Sequence, residues 1–187
     1  MVGSDMRERI MAAARLTVQD RGYSGLSFRE LAKDVGIKSA SIHYYFPTKG
    51  ELGSALADRY TTDFAQYLEV LLTEKLDPVA CMAHYTDIFR DTLRNDNRMC
   101  LAGIMAAEHK ELPEEVRTEV VKFGAVNEAW IARVLEKVGD VTSGEAPRRA
   151  RAIFAAIEGA QLVARSRGDV TVYEEIVATF RQGGLIP

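Results

Sequence analysis

The chain has 187 residues, with 24 Lys and Arg against 27 Asp and Glu, 47% apolar residues and two cysteines. That length allows one domain or two small ones and lets roughly 70% of the unfolded surface be buried, so the composition excludes a disordered protein. A net charge of −3 argues against a wholesale binder of nucleic-acid phosphate, which should be basic, and the lack of a long apolar run or an apolar leader at Met1–Arg9 predicts a cytoplasmic protein with no membrane segment.

Apolar residues recur at helical spacing almost everywhere, and alternating β-branched runs bounded by turn residues are missing, which predicts an all-α fold of about nine helices. The first helix is expected over about Asp5–Asp20, with Ile10, Ala13, Ala14 and Thr17 on one face and a stop at Arg21-Gly22. Ser27-Phe28-Arg29-Glu30 has the form of a capping box, so a short helix starts at Phe28, buries Phe28, Leu31, Ala32 and Val35, and ends at Gly36. Another short helix is expected over about Ser39–Tyr45, broken before Pro47, whose ring disfavours a helical Phe46. Thr48 then caps a long helix to about Glu74 that carries Leu52, Leu56, Tyr60, Phe64, Tyr67 and Leu71 at steps of three or four. Two short helices about a glycine turn make a helix-turn-helix pattern.

Beyond it, helices are expected from Asp77-Pro78 to about Arg94, from Asn97 through Glu108, and from Pro113 to about Val138. A polar loop over Gly139–Ala146 precedes the last two, about Pro147–Arg167 and Val170–Gln182. Cys81 and Cys100 are too few for a disulfide framework, and they share no metal-ligand spacing with the scattered His43, His84 and His109. With no phosphate-binding loop and no nucleophile elbow either, the reading is of a protein that is not an enzyme and holds no cofactor or metal.

Residues Arg7–Leu56 resemble the DNA-binding domain of the tetracycline-repressor (TetR) family of transcription regulators, on Ile10-x-x-Ala13-Ala14, Gly22-Tyr23, Leu31-Ala32-x-x-Val35-Gly36-Ile37, Ser41-Ile42-x-Tyr44-Tyr45-Phe46, Lys49 and Leu52. The resemblance implies a helix-turn-helix domain over residues 1–50, continuing into the linking helix to about 74, and a ligand-binding and dimerisation domain over 51–187. Leu31, Ala32, Val35, Ile37, Ile42 and Phe46 would fix the angle between the two short helices. The second helix would then present its short residues to base edges in the major groove. By resemblance, Arg29, Ser39, Ala40 and Ser41 read bases, with Lys38 nearby, while Tyr44, Tyr45 and Lys49 contact phosphate and Thr48 caps the fourth helix toward the backbone. His43 stands where the family usually has tyrosine, which leaves its contact open. Residues 1–57 carry eight basic and six acidic residues, a charge of +2, and residues 58–187 carry sixteen and twenty-one, a charge of −5. The acidity therefore belongs to the second part, and a modest +2 suggests that tight binding takes two heads on one operator.

For the second part the resemblance implies a homodimer and a small-molecule inducer. Phe154, Ala156, Gly159, Ala160, Val163 and Ala164, with Ile176 and Phe180, are expected at a two-fold four-helix interface. Tyr85, Phe89, Met99, Cys100, Ile104, Met105, Glu108, Phe123, Asn127 and Trp130 are the candidates for the ligand pocket. The function expected is a ligand-responsive repressor released from a pseudo-palindromic operator. Three alternatives stand beside it: a redox or electrophile sensor in which Cys100 reacts, a helical enzyme using Glu108, His109 and Cys100, and a helical module that no longer binds DNA.

Overall fold

The computed structural model describes residues 2–73, 77–139, 141–142 and 144–187, with side chains from Asp5 onward. Among them lie nine helices: α1 (Val2–Arg21), α2 (Phe28–Val35), α3 (Ser39–Tyr45), α4 (Lys49–Thr73), α5 (Pro78–Arg94), α6 (Leu101–Ala107), α7 (Glu114–Val138), α8 (Ala146–Arg167) and α9 (Val170–Gln182). The expected end of the fourth helix at Glu74, and Asp140 and Ser143 of the polar loop, lie outside the described residues. No helix of the described residues is long and apolar enough to cross a membrane.

Local chemistry sets most of the helix ends. Gly36 closes α2 in the left-handed conformation at φ 74°. Phe46, before Pro47, is extended and ends α3. Thr48 Oγ1 accepts from the Glu51 amide at 3.0 Å to open α4, and Asp77 Oδ1 accepts from Ala80 at 2.9 Å to open α5 with Pro78 in its first turn. Two expectations are corrected. Ser27 is the extended residue before α2, but its hydroxyl makes no capping bond, and Glu30 turns to Lys33 at 2.9 Å instead of reaching back. The sixth helix begins at Leu101 rather than Asn97, because Asp96 and Asn97 both adopt left-handed backbone, at φ 62° and 54°. Asn97 is held there by reciprocal bonds with Arg165, Nδ2 to the Arg165 carbonyl at 3.1 Å and Arg165 Nη1 to the Asn97 carbonyl at 3.0 Å.

The chain divides into two compact units, one of residues 1–61 with 101–121, the other of 62–100 with 122–187. In the first, α1 packs on α2 and α6, and α2 packs on α3. Ile10, Ala14, Leu31, Ile42, Phe46 and Leu52 are fully or nearly fully buried there, as the helical spacing predicts, and Val18 joins them, whereas Ala13, Thr17, Phe28 and Ile37 are only half-buried. In the second, α8 packs on α5 and α9, around Phe64, Leu68, Tyr85, Phe89, Phe123, Trp130, Ile153 and Ile157. Tyr67, expected in the α4 stripe, is exposed, and its neighbour Leu68 takes the buried position.

Gly53 shows how tightly the first unit is packed. A Cβ on it would lie 2.7 Å from Tyr23 Cε2 and 3.0 Å from Val116 Cγ2. Alanine is favoured over glycine in a helix by about 1 kcal/mol, but overpacking costs ~1–3 kcal/mol. Gly53→Ala is therefore expected to lower the unfolding free energy by about 1 kcal/mol in urea titration; an increase would contradict this packing.

Candidate nucleic-acid interface and effector core

The first unit turns a short, polar helix outward. Ile42 is fully buried and Phe46 nearly so, which fixes the inner face of α3. Lys38, Ser39, Ala40, His43 and Tyr44 are exposed, and Ser41 and Tyr45 are half-buried. Lys38, Ala40, Ser41, Tyr44 and Tyr45 line a shallow concavity of about 390 Å³ on this helix. Tyr44, 82% exposed, meets the Tyr45 ring edge-on at 5.1 Å, so Tyr45 steadies a ring that is otherwise largely exposed. Arg29 is exposed on α2.

Three of the expected contact residues are partly engaged within the protein. His43 Nδ1 lies 3.2 Å from the Pro47 carbonyl and its ring meets Phe28 at 4.8 Å. A carbonyl only accepts, so Nδ1 carries the proton and the imidazole is tied to the turn between α3 and α4. The Thr48 hydroxyl caps α4. The Lys49 ammonium lies 4.5 Å above the Tyr23 ring and donates to the Ser24 carbonyl at 3.3 Å. Partial burial pushes its pKa down, and the Glu108 carboxylate opposes that shift.

Glu108 itself is corrected. Rather than lining a pocket or ending a helix in solvent, its carboxylate accepts from the backbone amides of Tyr23 and Ser24 in the turn after α1. Gly22 makes room for it: at φ 76° that residue is left-handed, and a Cβ there would meet Glu108 Oε2 at 2.6 Å. Ile104 and Met105, also expected in the pocket, belong with Glu108 to this first unit.

In the second unit the structure brings together Tyr85, Phe89, Phe123, Asn127 and Trp130, all nearly or fully buried. Their polar atoms are satisfied internally. Tyr85 donates to Asn127 Oδ1 at 2.7 Å, Asn127 Nδ2 to the Phe123 carbonyl at 2.8 Å, and Trp130 Nε1 to the Leu68 carbonyl at 2.7 Å. Tyr85 stacks on Trp130 at 5.3 Å, and Phe64 meets Tyr85, Phe89 and Phe123 at 5.1–6.2 Å. Cys100 is 1% exposed and its amide donates to Gln161 Oε1 at 2.8 Å, so its thiol lies out of contact with solvent.

Sequence reasoning missed Gln161 and Glu158. Gln161, fully buried, links that Cys100 amide to the Phe89 carbonyl through Nε2 at 2.9 Å. Among the described residues, neither carboxylate oxygen of Glu158, both of them buried, has an N–H or O–H partner, and burial pushes its pKa up to about 7, against which the Cys100 thiol is a weak opposing donor. The available signal was two polar residues three apart inside the apolar run Ala152–Ala164, hence on one helix face.

The outer face of α8 carries Ala155, Gly159, Leu162 and Val163, with Leu162 56% and Val163 40% exposed, and a Cβ on Gly159 would meet nothing within 4 Å. Ala160 and Ala164 are corrected: both are buried within the chain's own core and offer no partner surface. Phe154, half-buried, turns its ring to Phe123 at 6.2 Å, and Ala156, Ile176 and Phe180 are half-buried.

Comparison with known proteins gives two family matches. Residues 10–56 match "Bacterial regulatory proteins, tetR family", and residues 78–179 match "Transcriptional regulator LmrA/YxaF-like, C-terminal domain". Transcriptional regulator AcuR of Cereibacter sphaeroides is 28% identical over 156 residues, 78% of this chain and 70% of its own. The HTH-type transcriptional repressor NemR of Escherichia coli K12 is 26% identical over 168 residues, 86% and 84%. Among solved structures, a TetR transcriptional regulator from Legionella pneumophila superposes with a TM-score of 0.89 at 32% identity over 96% of both chains. Reduced E. coli NemR superposes with a TM-score of 0.81 at 24% identity, over 95% of this chain and 96% of that one.

Tyr44→Ala is expected to weaken DNA binding with the thermal midpoint unchanged, whereas Lys49→Ala lowers both, because that ammonium also holds the turn at Tyr23 and Ser24; unchanged stability in Lys49→Ala would contradict this engagement. The folded-state pKa of Glu158 lies above its ordinary value of 4.5, so the folded chain keeps this proton to higher pH, and the resulting stabilisation, full below 4.5, is lost as pH rises through about 7. Glu158→Gln cannot ionise and is expected to exceed the wild type in stability near pH 8, by up to ~3 kcal/mol, and to match it near pH 5. Equal stability of the two proteins at both pH values would show that the carboxyl is not held in this environment.

Proposed function

The chain belongs to the tetR family of bacterial regulatory proteins and is a DNA-binding transcriptional regulator, and on that premise we propose that it is a homodimeric repressor released from its operator by a small-molecule inducer. The observation that carries this reading is the outward face of α3, where short side chains, two tyrosines and Lys38 border one concavity over a rigid apolar inner face. Short residues let a helix approach base edges in the major groove, and rings and ammonium groups beside them suit the sugar-phosphate backbone.

Residues 1–50 form the reading head in this proposal, and residues 51–187 the effector and dimerisation domain. Arg29, Lys38, Ser39, Ala40 and Ser41 read sequence. Tyr44 and Tyr45 contact phosphate, Lys49 contributes from its seat on Tyr23, and His43 and Thr48 hold the turn that presents them. The α8 face of Gly159, Leu162 and Val163, with Ile176 and Phe180 of α9, meets its two-fold equivalent, and regulators of this family act as dimers. The sign of regulation follows NemR, which is named a repressor. The inducer binds in the second unit and acts by binding the operator-incompetent state of the dimer more tightly than the competent one.

Footprinting on DNA around the protein's own gene tests the proposal. A protected pseudo-palindrome is expected, and Arg29→Ala is expected to cost about 1–3 kcal/mol on it while leaving random DNA little affected. Equal loss on specific and random DNA would remove Arg29 from sequence readout, and no protected site anywhere would sink the proposal.

A further inference from the structure

The interior of the second unit contains a carboxyl group that no basic side chain among the described residues pairs with. Glu158 lies on α8 with both carboxylate oxygens buried and, among the described residues, no N–H or O–H donor to either; the Cys100 thiol is the polar group beside it. A buried carboxylate is expected to be paired, and a thiol is only a weak donor, so this group has capacity left for a stronger partner from outside the chain.

The surroundings narrow the chemistry of that partner. Phe154 lies four residues before Glu158 and Gln161 three after, so the three share one face of α8. The Phe154 ring reaches Phe123 at 6.2 Å, and Gln161 binds the Phe89 carbonyl at 2.9 Å. Phe123 and Phe89 both meet Phe64, and Phe89 meets Tyr85 at 5.3 Å. The carboxylate thus stands on the helix face that adjoins an aromatic cluster. A negative group beside aromatic faces attracts an organic cation twice, through the ion pair and through the ring quadrupoles, and it disfavours an anion.

The polar groups of α9 and α5 are engaged with one another. On α9, Tyr173 donates to the Thr86 carbonyl at 2.8 Å and Arg181 to Thr86 Oγ1 at 2.8 Å. On α5, Arg90 pairs with Asp87 at 2.7 Å.

We propose that Glu158 is the anionic end of the effector site and selects a ligand carrying a protonated amine on an apolar or aromatic body. This rests on the proposal that the second unit takes an inducer, and it assigns that inducer's class. The nearly buried Trp130, stacked on Tyr85, supplies a fluorescence signal within the same cluster.

The test titrates the full-length protein with benzylammonium, benzyl alcohol and benzoate, which differ in charge and little in shape, and reads binding by Trp130 fluorescence and calorimetry. The wild type is expected to bind benzylammonium roughly tenfold or more tightly than the alcohol and to bind benzoate least. In Glu158→Gln the ratio of amine to alcohol affinity is expected to fall to about one, and in Cys100→Ser it stays near the wild-type ratio. Equal affinity for amine and alcohol, tighter binding of benzoate, an amine preference that survives Glu158→Gln, or no binding of any of the three would overturn the proposal. Retardation of operator DNA by the same preparations is measured separately; its absence would count against the repressor reading and leave the amine preference to stand or fall on the titrations.

Discussion

The reading head depends on how the chain turns after α1. A helix that ends at Arg21 must hand over to α2 within six residues, and the amides of Tyr23 and Ser24 in that turn need an acceptor. Glu108 supplies it from beyond the end of α6, Gly22 yields the space, and Lys49 seals the other side through the Tyr23 ring and the Ser24 carbonyl. This clamp explains why residues 101–121 share a compact unit with the first 61. It also sets α2, and through α2 the direction in which α3 presents Ser39, Ala40, Ser41 and Tyr44.

The second unit is built on the opposite principle. Its central polar groups, Tyr85, Asn127, Trp130 and Gln161, are satisfied by one another or by main-chain carbonyls, which makes that core rigid and specific. Against that background two groups of the described residues stand out: Arg98, whose Nε is buried without a partner, and Glu158, a carboxyl retained in the interior and held near neutral pH between its charged and uncharged forms. Departures from internal consistency are expected where a protein does something, and both lie in the unit assigned to the effector.

What was legible in the sequence was what short-range chemistry decides. Gly36, Pro47, Thr48, Asp77-Pro78 and Gly168 mark helix ends through backbone conformation or a side chain a few residues away, and the periodic apolar positions mark the inner faces. What was not legible depended on distant partners. Asn97 looked like a helix start, and its bonds with Arg165, 68 residues on, hold it left-handed instead. The capping box at Ser27 failed because Lys33 offered Glu30 a partner one turn along. Glu108 and Glu158 exchanged expectations: the one read as a pocket residue braces a turn 84 and 85 residues away, and the one passed over as part of an apolar stripe is the buried charge. Ala160 and Ala164 looked like dimer contacts because small residues suit both a helix partner and a core, and only packing distinguishes them.

The overall charge of −3 takes its meaning from this division. A head with a charge of +2 attracts DNA weakly, and in the proposed dimer useful affinity comes from two heads engaging one face of the duplex at a fixed separation. The direct measurement is operator affinity as a function of half-site spacing. Inserting about half a helical turn, ~5 base pairs, between the footprinted half-sites rotates one to the opposite face, and a full turn returns it. Binding is expected to fall to the level of random DNA with the half-turn insertion and to persist at least in part with the full turn. Undiminished affinity with the half-turn insertion would contradict the requirement for two coupled heads.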